Sequence, residues 1–361
     1  MTKYFESLTD PRQPWKVDHS LHEIVVMTIC AVMSGCDIWE EIVDFCKVKE
    51  EWFRERLGLV LENGIASHDT FQRVFQIIKP EELENSFVTW VKSLAVKVKK
   101  EIVSIDGKTV CGSKSDMARA IHMVGAWGNS NQLALGQVKT DEKSNEITAI
   151  PALLDLLELK EVIVTIDAMG CQKDIAAKIV KDCESDYVFG LKGNHEILHD
   201  DVKLYFATHA TNDKTLNREK DHGRGEMREY YLVTDISWLW QKTDWQGLAA
   251  IGMVKSRTLR NGKICEEIRY YITSLTDVET FAKAVRAHWG IENSLHWCLD
   301  VIFNEDANRT RKDNSAENFS VIRRIALNIL KKFPIKMSLN RKRRKCHYDA
   351  DFMAQGLLSV V

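Results

Sequence analysis

Two stretches of this chain run apolar and then stop on an acid: Ile102-Val103-Ser104-Ile105-Asp106 and Val162-Ile163-Val164-Thr165-Ile166-Asp167. If the two are neighbouring strands, their carboxylates converge at one edge of a sheet, and such oxygen ligands suit magnesium. A third acid, Glu292, stands in the stretch from Ala287 to Phe303, where Ile291, Leu295, Cys298 and Ile302 recur at helical spacing. Glu292 falls at the border of that stripe, and His288, His296 and Asp300 share its polar strip at i,i+4 steps. Three carboxylates on three rigid elements can hold two divalent ions about 3.5 to 4 Å apart, which clamp the attacking and leaving oxygens of an in-line phosphoryl displacement. A single strand-end Asp is more often a turn or cap residue, so the pair is more informative than either alone. A separate His288, Glu292, His296 metal strip is the weaker alternative, because no further ligand for it is identifiable.

The elements around these acids follow from pattern. Residues 1–98 read as a helical domain: Ser20 with Glu23 makes a capping box for a helix through Val32, and Asp37 with Glu40 starts the next. Ser67 to Thr70 precedes Phe71 to Ile78, and Pro80 opens a helix from Glu82 to Lys99. The pair around Thr70 to Ile78 reads as a packing unit, with a DNA-reading helix-turn-helix as the alternative. Residues 99–207 give three strands, helix, strand, helix, strand, helix; two of the strands are joined by Gly128 to Asn131, and the first and fourth are able to lie side by side. Residues 208–275 are an inserted, mostly β unit with strands at Glu229 to Val233, Leu248 to Lys255 and Glu267 to Ile272. Residues 276–332 return to the core with the Glu292 helix, and 333–361 form a basic tail.

Composition bounds the alternatives. A chain of 361 residues, 45% hydrophobic and 28% charged, is ordinary for a soluble globular protein with several domains. Its net charge of -2 hides cations gathered at Lys331, Lys332, Lys336 and Arg341 to Lys345, so an anionic polymer remains a fitting partner. Nine scattered cysteines without zinc spacing read as buried thiols in a reducing compartment. No signal peptide is indicated, and the apolar run Ile24 to Cys36 is too short to span a bilayer. The expected location is cytoplasmic, on the nucleoid, with no membrane partner.

Several cations accompany the acids. Lys108 follows Asp106 by two residues and Lys192 closes a strand beside Gly193-Asn194; either could hold a phosphate, with surface solvation as the plain alternative. His222-Gly223-Arg224-Gly225-Glu226-Met227-Arg228 combines turn glycines with cations and could contact a nucleic-acid backbone, or be a simple hairpin turn. Trp289 and Trp297 flank Glu292, able to stack on a base or to pack in a core.

Read together, IDGK at Ile105 to Lys108, IDAMGCQ at Ile166 to Gln172, LKGN at Leu191 to Asn194, HGR at His222 to Arg224, and HWGIEN with LHWCLDVIFNED from His288 to Asp306 resemble the DDE transposases of bacterial insertion sequences. The resemblance is closest to the H-repeat-associated, Rhs-linked transposase-like proteins and covers nearly the whole chain. It implies an α/β, RNase H-like mixed sheet flanked by helices, with Asp106, Asp167 and Glu292 as the catalytic, metal-binding triad for Mg2+, or Mn2+ in its place. The separation of 125 positions from Asp167 to Glu292 leaves room for the β insert. The implied partners are double-stranded DNA, as terminal inverted repeats and target, and a second copy of the chain on DNA. The residues expected at the DNA are Lys108, Lys192, Asn194, His222, Arg224, Arg228, His288, His296, Arg309 and Arg311. The wider group carries a Tyr, an Arg and a Lys around the helix acid; the matching positions here are Val285, His288 and Leu299. Two further readings stay open beside cutting and joining: a catalytically silent DNA-binding descendant, and a metal-dependent nuclease without strand transfer.

Overall fold

The computed structural model describes residues 2–114, 119–140, 146–209, 214–221, 224–260 and 263–360. In chain order α1 (Leu21–Met33), α2 (Trp39–Val48), α3 (Glu50–Leu57), α4 (His68–Ile77) and α5 (Pro80–Leu94) precede β1 (Ile102–Thr109), β2 (His122–Gly128) and β3 (Leu133–Lys139). Then come α6 (Glu146–Leu157), β4 (Ile163–Ile166), α7 (Lys173–Lys181), β5 (Asp186–Leu191) and α8 (Glu196–Thr208). Four strands follow, β6 (Lys214–Asp221), β7 (Arg224–Val233), β8 (Ala250–Arg260) and β9 (Lys263–Thr273), and the helices α9 (Val278–Ile291), α10 (Ser315–Lys332), α11 (Leu339–Tyr348) and α12 (Ala350–Leu358) end the chain. No described helix is long and apolar enough to cross a membrane.

The strands form one mixed sheet in the order β3-β2-β1-β4-β5-β9-β8-β7-β6. β1, β4 and β5 run parallel, whereas β9 pairs antiparallel with β5, and β8, β7 and β6 continue antiparallel from it. Every residue of β4 is buried, which is why its sequence is an unbroken Ile-Val-Thr-Ile run rather than an alternation. The expected mixed α/β sheet flanked by helices is therefore present. β6 was not foreseen: Lys-Thr-Leu-Asn-Arg-Glu-Lys-Asp has no apolar face, and its eight paired residues are held by β7 at the sheet's edge.

Two compact units divide the chain. The first comprises Met1–Val96, Gly107–Glu142 and Glu292–Val361. Its axis is α10, in which every residue from Ser315 to Leu330 except Glu317 is buried. Within it the capping box of α1 does not form: Ser20 makes no side-chain cap, and the Glu23 carboxylate instead accepts from the Leu61 amide at 2.8 Å. The second expected helix breaks at Lys49 into α2 and α3. α4 buries Phe71, Val74 and Phe75, with the Phe75 ring against Trp39 and Phe319, and Asn318 donates to the carbonyls of Phe75 and Ile78. That is a packing arrangement. The basic tail is folded as α11 and α12; Lys342 donates to the carbonyls of Leu330 and Phe333, and Arg343 reaches Val32 O and Asp37.

The second unit comprises Lys97–Asp106 and Lys143–Ile291. α9 packs on its strands through Phe281, Ala284 and Val285, in a core shared with Ile163, Val188, Tyr230, Leu232 and Ala250. Gly252 is obligatory there, because a methyl at its position would come within 2.4 Å of the Phe281 ring. Beyond Ile291 the helical winding does not stop but widens into π-type turns at Glu292–His296 and Cys298–Ile302. The wider turns shift the phase of the expected stripe, so Leu299 joins Leu295 and Cys298 in the core, Ile302 is half-buried, and His296, expected on the polar strip, is buried.

Candidate metal centre

Pairing between β1 and β4 sets Ile102 against Ile163, Val103 against Val164, Ser104 against Thr165 and Ile105 against Ile166. Asp106 and Asp167 are the next residues on each side, so both acids stand at one level; β4 stops before its acid, whereas β1, expected to end on Asp106, runs on through it to Thr109. Asp167 ends its strand in a turn closed by its own side chain, whose Oδ1 accepts from the amides of Met169 at 2.9 Å and Gly170 at 3.3 Å. Burial pushes its carboxyl above the usual carboxylate range, Glu146 adds to that, and the two amides and Lys192 pull against it. β5 has to approach closely here: a side chain at Gly190 would put its Cβ 3.2 Å from the Ala168 amide nitrogen.

One step back along the same faces lies a row of polar groups. Ser104 and Thr165 precede Asp106 and Asp167 by two residues, the repeat of one strand face, and His288 lies on the last turn of α9. Thr165 Oγ1 donates to Ser104 Oγ at 3.1 Å and meets His288 Nδ1 at 3.0 Å, while Ser104 Oγ donates to the Ala287 carbonyl at 3.4 Å. Sequence reading missed both hydroxyls. The signal was present as the matched tripeptides Ser-Ile-Asp and Thr-Ile-Asp.

Glu292 is exposed on the first widened turn, and its Oε2 lies 3.2 Å from Nδ1 of the buried His296. Burial holds the His296 imidazole below its ordinary value, with Glu292 acting in the opposite sense. Val285 and Leu299, which occupy positions that carry polar side chains in the wider group the sequence resembles, are buried.

The residues after Glu292 contain a second charged assembly that the sequence did not disclose. Lys108, only 7% exposed, places its ammonium 2.7 Å from Asp300, 3.2 Å from Glu305 and 3.1 Å from Asp306. Burial disfavours its charge, yet Glu305, Asp300 and Asp306 together hold it above the usual lysine value. Glu305 is fully buried and also faces the guanidinium groups of Arg323 and Arg324 at 3.6 Å. Burial alone would raise its carboxyl, and Arg324, Arg323 and Lys108 bring it below the ordinary range. Ser320 donates to Glu305 at 3.2 Å and is itself in contact with Arg324. Lysine has three N–H donors, and here three carboxylates face them. The Arg323-Arg324 doublet and the acids of Asn304-Glu305-Asp306 were the only sequence signs of this network.

The remaining expected site residues are spread over the two units. Lys192 is exposed, Asn194 donates to the Ala168 carbonyl at 2.7 Å, and His195 Nε2 lies 2.6 Å from Cys171 O, so Asn194 and His195 brace the loop that follows Asp167. Arg224 opens β7, Arg228 on the same strand pairs with Glu226, and His222 lies outside the described residues. Arg309 is exposed, and the exposed Arg311 donates through Nε to Gly112 O at 2.9 Å.

Comparison with known proteins was informative over the whole chain. Residues 97–329 match a family model described as a transposase DDE domain, and residues 2–91 match the segment associated with it. YncI of Escherichia coli, provisionally named a transposase, is 42% identical over 99% of this chain and 94% of its own length. YhhI of the same species, provisionally named an H repeat-associated transposase, is 41% identical over 99% of this chain and 97% of its own. A solved piggyBac transposase synaptic complex with hairpin DNA aligns with 96% of this chain and 76% of its own at a TM-score of 0.42 and 10% identity, too distant to bear on the fold.

Proposed function

Because the chain belongs to the transposase DDE domain family, we propose that it cuts and joins phosphodiesters at the ends of an insertion sequence, with Asp106, Asp167 and Glu292 holding divalent metal ions. The observation that carries the reading is the β1 to β4 register, which leaves two aspartates at one level on adjacent parallel strands. Oxygen donors on rigid strands fit Mg2+ or Mn2+. When bound, such ions activate water and stabilise the charge that develops on the scissile phosphate. The chain's own part is orientation. The Met169 and Gly170 amides fix the Asp167 carboxylate, and the first turn after α9 presents Glu292. The substrate in this reading is double-stranded DNA carrying terminal inverted repeats, together with target DNA, and two copies of the chain act on a pair of ends. Exposed Lys192, Arg309 and Arg311 supply cations for the phosphate backbone.

The test uses purified protein, Mg2+ and DNA bearing the inverted repeats that flank its gene. Joined products are expected, and Asp106→Ala or Glu292→Ala should reduce cleavage on the order of a thousandfold with DNA binding kept. Cleavage that persists in either variant removes the triad assignment. Cut ends without joining would select a nuclease, and binding alone a silent descendant.

A further inference from the structure

On β1, β4 and α9 the hydroxyls of Ser104 and Thr165 and the imidazole of His288 form a continuous chain, and the direction of its hydrogen bonds can be worked out. Each hydroxyl has one proton to give. Ser104 spends its proton on the Ala287 carbonyl, and Thr165 spends its own on Ser104 Oγ. Thr165 Oγ1 can then only accept from His288, so the proton of this contact sits on Nδ1 of the ring.

The chain ties together three elements at fixed offsets from three acids: β1 two residues before Asp106, β4 two residues before Asp167, and α9 four residues before Glu292. Side chains at i and i+2 share a strand face, and those at i and i+4 share a helix face. A hydrogen-bonded row at one level therefore sets the level of Asp106 and Asp167 one repeat further on, and fixes the last turn of α9, from which the wider turn carrying Glu292 departs. We propose that Ser104, Thr165 and His288 are positioning residues that hold the middle of β1, the end of β4 and the last turn of α9 in the arrangement from which Asp106, Asp167 and Glu292 bind metal. His288, expected from sequence at the DNA backbone, acts in this assignment through Thr165 and not on phosphate. Apolar packing of α9 through Phe281 and Val285 fixes how closely the helix lies on the strands, but such contacts leave sliding along its axis weakly opposed. Directional hydrogen bonds oppose it.

This inference rests on the metal-binding reading of the triad, and its test separates the two. Thr165→Val keeps the shape of the side chain and removes the hydroxyl; Thr165→Ser restores it. On the full-length protein, Mn2+ binding is followed by calorimetry and the His288 ring protonation by long-range proton–nitrogen NMR. Thr165→Val should weaken Mn2+ binding about tenfold and abolish the defined Nδ1–H state, and Thr165→Ser should recover both to within about twofold. His288→Asn, whose amide nitrogen can take the place of Nδ1, should keep more affinity than His288→Gln. These paired variants keep the question answerable if Thr165→Val proves unstable. Unchanged Mn2+ affinity in Thr165→Val, or a wild-type ring carrying its proton on Nε2 alone, overturns the proposal. If Asp106→Ala binds Mn2+ like wild type, the triad reading fails, and the proposal with it; retained loss in Asp106→Ala with an unaffected Thr165→Val sinks the positioning chain alone.

Discussion

Asp167 and Glu305 are both carboxylates withdrawn from water, and their acidities shift in opposite directions. Glu305 is fully buried in the first unit among Lys108, Arg323 and Arg324, and its carboxyl is held below the ordinary range despite burial. Asp167, half-buried in the second unit, has two backbone amides as its hydrogen-bond partners, and burial holds its carboxyl above that range. Under the proposed function the difference separates charge that builds the protein from charge kept for a metal ion. Cations of the chain itself neutralise Glu305, whereas Asp167 is oriented by backbone amides, and the pull of Lys192 leaves its carboxyl above the ordinary range.

The largest effect should come from Glu305→Gln. It leaves Arg323 and Arg324 facing a neutral group while Lys108 keeps Asp300 and Asp306, and breaking a buried ion network in this way costs about 3 to 5 kcal/mol. Denaturant unfolding of the variant measures it, and a loss under about 1 kcal/mol would mean that the network is not structural. Next is the pH response of Glu84, a buried acid on α5 that accepts from the Gln137 amide at 2.8 Å and whose carboxyl burial raises to about 8. Since the folded state prefers the protonated form, its contribution is fully present below the unfolded value near 4.5 and is lost as pH rises toward about 8. Glu84→Gln should flatten stability across that window; a slope equal to wild type would assign it to other groups. The smallest effect on stability is expected of Asp167→Asn. The amide keeps an oxygen for the Met169 and Gly170 amides and removes a charge that burial disfavours, so unfolding should occur at the same denaturant concentration or slightly higher. A marked loss of stability there would erase the contrast with Glu305.

Much of the acid-bearing core could be read from residues alone. Two apolar runs each closed by Asp gave the positions of β1 and β4, and the sequence of elements between them made their adjacency the natural arrangement, because a buried parallel strand has little freedom of composition. What could not be read depends on contacts between distant segments. Lys108 looks from its place beside Asp106 like a phosphate ligand, and only its meeting with Asp300, Glu305 and Asp306, almost two hundred residues further on, shows where its charge is spent. Glu23 carries a capping pattern that local rules favour, yet the Leu61 amide takes its carboxylate. The stripe on the Glu292 helix was counted with an α-helical period, and the π-type turns from Glu292 onward moved Leu299 inward. Such turns recur at functional sites because they change the direction of side chains without ending the helix.

Calorimetric titration of Mn2+ into wild type, Asp106→Asn and Asp167→Asn in parallel tests the central claim most directly. The account predicts saturable binding to the wild type that is lost in both variants while their unfolding midpoints stay at or above its own. Equal Mn2+ binding in all three would contradict it, since the two acids that stand at one level on β1 and after β4 would then not be metal ligands.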